Sequence, residues 1–126
     1  MIIYDSETFP NCYLLCAREG DNSWTFEISS RKNDLAALRQ WVSDKRQSIM
    51  CGFNNVGFDY PVLHYLLRGG ISDPRVIYEY AMSIINTESK YGFFVKPSDY
   101  YVPQIDLFKI HHFDNKARST SLKALE

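Results

Sequence analysis

The chain has 126 residues, 45% hydrophobic, 23% charged and 15% aromatic, which suits one globular domain and excludes a disordered or collagen-like polymer. A formal net charge of −1 and a pI near 6.3 exclude a global positive field, so a nucleic-acid partner has to be gripped locally. Apolar runs are too short to span a membrane and no basic-then-apolar signal opens the chain, which points to a cytoplasmic protein.

The first apolar run, Ile2 to Asp5, ends in an acid and leads to a turn at Phe9-Pro10-Asn11. Cys12 to Ala17 reads as a second strand, Gly20-Asp21-Asn22 as a turn, and Trp24 to Ile28 as an alternating third strand. Together they predict an antiparallel meander. The period then changes: Leu35, Leu38, Trp41 and Val42 recur at helical spacing behind Asn33 or Asp34, either of which can cap. Ser48 to Phe53 is a fourth, apolar strand. Pro61 opens a helix whose buried side is Val62, Leu63, Leu66 and Leu67, stopped by Gly69-Gly70. Asp73-Pro74 repeats the start signal ahead of an apolar stripe from Val76 to Ile85. Glu88 to Tyr101 lacks a period and reads as a loop, Val102 to Phe108 as a fifth strand, and Ser119 to Glu126 as the start of another helix.

Strands followed by alternating strands and helices predict an α/β fold, a mixed five-stranded sheet with helices on its faces. The cysteine count of three is odd. Cys12 and Cys16 on one strand stand about 13 Å apart, against the roughly 6 Å that a disulfide spans. These are expected to be free thiols in a reducing compartment.

Two short acidic patterns carry chemistry. In Asp5-Ser6-Glu7, residues two apart on a strand share a face, so both carboxylates can reach one cation while Ser6 points the other way. Hard ions such as Mg²⁺ or Mn²⁺ take oxygen ligands of this kind. In Gly52-Phe53-Asn54-Asn55-Val56-Gly57-Phe58-Asp59, an apolar strand runs into two asparagines and then an aspartate before a helix. There, first-turn N–H groups and the helix dipole are expected to keep Asp59 ionised. Each pattern alone also fits a solvated strand end or a plain N-terminal helix acid.

Taken together, D-x-E-T followed by N-x-x-x-F-D resembles the first two motifs of the DEDD (DnaQ-like) 3′–5′ exonuclease superfamily, most of all the proofreading domains of viral and family B DNA polymerases. The resemblance implies a ribonuclease H-like sheet, with a three-strand meander plus two parallel strands, built by residues 1–126 as one C-terminally incomplete exonuclease domain. It implies Asp5, Glu7 and Asp59 as catalytic metal ligands for two Mg²⁺ or Mn²⁺ ions. Thr8, either Asn54 or Asn55, and Phe58 match positions that bind the terminal nucleotide. The implied partner is the 3′ end of single-stranded DNA, with a polymerase domain in the same or another chain, in a bacterial or phage-infected cell. Pro103 to Phe108 and Ser121-Leu122-Lys123 continue the likeness as the fifth strand and the next helix. Asp106 is a weak fourth-ligand candidate, since such an aspartate in similar domains is usually not a ligand.

The family's third motif, Y-x-x-x-D or H-x-x-x-x-D, is expected downstream of the helix that starts near Ser121, and the sequence stops before it. The pair His111-His112 precedes that helix and more often has a structural role. A weakened second ion site and little nuclease activity are therefore expected of the 126 residues alone. Lys109, Lys116, Arg118 and Lys123 form a late basic group, either a solvated face or a phosphate track. Two other readings compete: a non-catalytic nucleic-acid-binding module with the same fold, and a ribonuclease H or resolvase. In the latter the second acid usually sits on a helix, so Asp5-x-Glu7 counts against it.

Overall fold

The computed structural model describes residues 1–87 and 91–109. The expected helix at Ser119–Glu126, His111, His112, Lys116, Arg118 and Lys123 lie outside the described residues. The described chain is α/β. Three strands, β1 (Ile2–Phe9), β2 (Cys12–Glu19) and β3 (Asn22–Ser29), form an antiparallel meander, followed by α1 (Leu35–Asp44) and β4 (Met50–Gly52). A π-helical turn (Asn55–Asp59) leads into α2 (Tyr60–Gly69), α3 (Pro74–Asn86), two 3₁₀ turns and β5 (Gln104–Asp106). The sheet order is β3-β2-β1-β4-β5, with β4 parallel to both β1 and β5. β1 is therefore central, with an antiparallel neighbour on one side and a parallel one on the other.

Local chemistry explains most boundaries. Gly20 takes φ +60° in the two-residue hairpin between β2 and β3, which a β-carbon would disfavour. Asp73 accepts the Arg75 N–H at 2.9 Å and caps α3, and Gly70 closes α2 at φ +62°. At α1 the two candidate caps divide the work. Asn33 Oδ1 accepts the Leu35 N–H at 3.1 Å, and Asp34 Oδ2 instead accepts the Glu27 N–H of β3 at 2.8 Å.

The inner face of the sheet carries Ile2, Tyr4, Tyr13, Leu15, Phe26 and Ile28, all buried. Leu38 and Trp41 of α1, Leu63 and Leu66 of α2, and Ile77 and Ile84 of α3 pack into the same cluster. Each such aliphatic side chain contributes about 1.5–3 kcal/mol on burial. The outer face carries Ile3, Asp5, Glu7 and Cys16, all exposed, so the described helices cover one side of the sheet.

All five strands differ in length from the sequence reading: β2 runs on to Glu19 and β3 spans Asn22–Ser29, because their ladder extends from Cys12↔Ser29 to Glu19↔Asn22. β1 runs four residues past Asp5, because its ladder with β2 continues to Phe9↔Cys12. β4 stops at Gly52 and not at Phe53, because Asn54 turns into the left-handed region (φ 56°) and its N–H leaves the sheet for Asp106 Oδ1 at 2.8 Å. β5 ends at Asp106 for the same reason: the Phe108 N–H folds back onto Asp106 Oδ1 at 3.0 Å. Cys12, Cys16 and Cys51 are free thiols. No helix among the described residues is long and apolar enough to cross a membrane.

Candidate active site

β1 alternates as its sequence requires. Asp5 and Glu7 point to the exposed outer face, opposite Cys16 and Leu14 of β2, while Tyr4, Ser6 and Thr8 point inward. The inward set is polar at one end. The Tyr4 hydroxyl donates to Gln104 Oε1 at 2.6 Å, Ser6 Oγ donates to Asp59 Oδ1, and the Thr8 hydroxyl is buried without a partner. Burial pushes the Tyr4 and Tyr13 phenols up, so both stay neutral.

The loop after β4 is organised by one carboxylate. Asp106 accepts the backbone N–H groups of Asn54 (2.8 Å), Val56 (3.1 Å) and Phe108 (3.0 Å). These donors occupy its oxygens and fix the entry to the π-turn. Asp106 therefore acts as a brace between β5 and the loop. Asn55 is wholly buried; its Nδ2 donates to Gln104 Oε1 at 2.9 Å, and its Oδ1 has no partner. Asn54 is exposed, and its Oδ1 lies 2.7 Å from where a β-carbon on residue 57 would stand, so Gly57 is needed for that side chain to lie flat. Phe58 is partly buried against the core cluster.

Asp59 does not sit as its sequence position suggests. The helical path begins at Asn55, a turn upstream, and Asp106 takes the free N–H groups there; Asp59 makes no capping bond. Only 6% of Asp59 is exposed, and burial pushes its carboxyl up to about 6. The charges of Asp5 and Asp106 add to the rise, and the Ser6 hydroxyl offsets part of it. The dipole-stabilised acid expected from sequence is instead a desolvated one, still mainly ionised at neutral pH.

The two acidic motifs thus meet at one point of β1, from opposite sides. Asp59 reaches Ser6, which lies 53 residues away and between Asp5 and Glu7, from the helix side. Asp5 and Glu7 face outward. Among the described residues no three acidic, histidine or cysteine side chains gather closely enough to hold a metal ion. Asp5 and Glu7 by themselves, two oxygen-donor side chains on one exposed strand face, fit a single hard cation. Asp59, turned to Ser6 on the inner side, does not join them.

Ser6, Tyr4 and Gln104 are site residues that sequence reasoning did not single out. Ser6 carried a usable signal, an inward strand position flanked by acids; Gln104 carried none. Comparison of the chain with family models, curated proteins and solved structures gave no significant match.

Proposed function

We propose that this chain is a metal-dependent 3′–5′ exonuclease domain of the ribonuclease H-like class, acting on the 3′ end of single-stranded DNA in proofreading or phage nucleic-acid processing. The observation that carries the reading is the bond from Ser6 to Asp59, which ties the second acidic motif to the middle of the first. That bond lies just past the carboxyl ends of the parallel strands β4 and β5, the usual side for a ligand in an open α/β sheet.

Asp5 and Glu7 would hold the first Mg²⁺ or Mn²⁺ ion. A bound ion of this class neutralises the scissile phosphate and acidifies a water. Asp59, with its pKa raised to about 6, is suited to keep or take a proton on the inner side of β1, at Ser6. Of the two asparagines, the exposed Asn54 is open to a nucleotide, and Asn55 supports it from the core. Phe58, half-exposed two residues past Val56, offers a ring to the terminal base.

Calorimetry should find one tight Mn²⁺ per chain, lost in Asp5→Ala and weakened at least about tenfold in Glu7→Gln, the cost of removing a charged ligand. Cleavage of a 5′-labelled oligonucleotide with Mn²⁺ is expected to be weak from these 126 residues, and whatever descending ladder forms should disappear in Asp5→Ala. Two tight ions would overturn the one-ion geometry. The second reading, a non-catalytic nucleic-acid-binding module, is favoured by the opposite facing of Asp59 and the Asp5–Glu7 pair. Oligonucleotide binding by a protein that neither takes up Mn²⁺ nor cleaves with it would select this reading.

A further inference from the structure

A chain of cavities runs along α2, on the helix side of the sheet and opposite the face that carries Asp5 and Glu7. The largest, about 560 Å³, lies between α2, α3 and the segment after it; its walls include His64, Tyr65, Arg68, Phe94 and Lys96. A second, about 200 Å³, shares Pro61, Phe93 and Phe94 with the first and extends to Val56, Gly57 and Lys109, beside the π-turn that ends in Asp59. A third, about 310 Å³, is lined by Arg39, Arg46 and Tyr101. Tyr101 stacks on His64 at 4.5 Å and 13°, so one pair of rings forms the partition between the first and third cavities.

The lining includes both aromatic rings and cations. Tyr65 and Tyr80 stack at 3.7 Å and 6°, and Phe94 is 55% exposed. Arg39, Arg46, Arg68, Lys96 and Lys109 form no ion pair within 4.0 Å among the described residues. Asp99 is the sole carboxylate among the described lining residues of the three cavities. Burial and the neighbouring Arg68 charge push the His64 pKa down, which leaves it a neutral ring. In a chain whose net charge is −1, five cations with no ion pair among the described residues are a local concentration of positive charge, although Arg39 also donates to the Leu67 carbonyl. Rings that offer faces to bases, together with cations for phosphates, suit a single strand of nucleic acid and need no base sequence. An acidic peptide would use the cations and leave the rings idle.

We propose that this trough binds single-stranded nucleic acid, leading it across α2 to the turn that carries Asp59. The binding itself is independent of metal; that the 3′ end lies at the turn rests on the exonuclease reading above.

The test is fluorescence anisotropy of a labelled oligothymidylate with the protein in EDTA, each variant's fold checked by circular dichroism. The wild type should bind, with affinity falling as salt rises. Arg68→Ala/Lys96→Ala should bind at least about tenfold more weakly, with a log–log salt slope shallower by about 1.4, two phosphate contacts for a single strand. Phe94→Ala should lose about tenfold with the salt slope unchanged, as loss of a stacking platform requires. Arg18→Ala/Arg75→Ala, which removes the same charge elsewhere, should bind as the wild type does. No binding by the wild type, equal losses in the trough and control variants, or equally effective displacement by polyglutamate would each overturn the proposal. Mn²⁺-dependent cleavage, measured in parallel, separates the two readings. Trough binding with neither cleavage nor Mn²⁺ uptake by Asp5 and Glu7 removes the exonuclease and leaves the trough. Cleavage with trough variants that bind normally does the reverse.

Discussion

The end of β5 and the π-turn before α2 each hold one buried aspartate, and the two could hardly be treated more differently. Asp106 and Asp59 are 5% and 6% exposed, respectively. Asp106 accepts three backbone N–H groups, and Asp59 accepts the Ser6 hydroxyl. Burial removes water from both carboxylates, so the donors that replace it decide the outcome. Where donors are plentiful the acid becomes part of the frame. Where they are scarce it stays desolvated and chemically available, which is the property a reacting site needs.

The sharpest way to break this comparison is to remove the framing acid. Asp106→Ala strands three N–H donors and is expected to cost about 3–5 kcal/mol, since charge-assisted bonds contribute about 1.5–3 kcal/mol each and are not additive. Urea unfolding at neutral pH reads this directly. A loss under 1 kcal/mol would mean that the loop finds other acceptors and that Asp106 is not its brace.

Asp59→Asn should act in the opposite direction. The folded-state carboxyl lies at about 6, above its ordinary 3.8, so the folded protein holds this proton more tightly than the unfolded chain does. The destabilisation it causes is absent below the lower value, grows between the two, and is complete above about 6. In EDTA, the variant should be up to about 3 kcal/mol more stable than the wild type above pH 7, at 1.36 kcal/mol per unit, and no more stable near pH 3. Glu27 titrates with the other sign. Arg31 and Ser29 hold its carboxyl down to about 2, so its contribution is present above its ordinary 4.5 and lost as pH falls toward 2. Subtracting the Asp59→Asn curve from the wild-type curve cancels that term. A flat difference would show that Ser6 serves Asp59 as well as three amides serve Asp106.

The smallest expected effect tests the hinge between the two regions. Asn54 holds φ 56° while its N–H reaches Asp106. Asn54→Ala should cost about 1 kcal/mol in the left-handed region, and Asn54→Gly a few tenths at most. Equal losses in thermal melts would shift the weight from backbone conformation to the Asn54 side chain.

Much of the fold was legible because it rests on local patterns. The alternation of Trp24, Phe26 and Ile28, the caps at Asp73 and Gly70, and the helical spacing of Leu63, Leu66 and Leu67 are each settled within a few residues of chain. The same short range explains the misses. The strand end at Gly52 is set by a carboxylate whose amide donors lie 52 and 50 residues from it in sequence, and no local pattern records it. The helix start at Pro61 was readable, but the π-turn ahead of it was not, and that turn is what buried Asp59.

By itself, then, the sequence determined that Asp5 and Glu7 share a strand face, because strand periodicity is a property of each residue and its next neighbour. It also set which helices form and which sides they bury. Only the tertiary structure decided that Asp59 meets β1 at Ser6 from the inner side, that Asp106 is spent on backbone amides, and that Tyr101 stacks on His64 to join two cavities. Those outcomes depend on which distant donors and rings arrive at a given point once the core has packed, and burial then fixes how strongly each one counts.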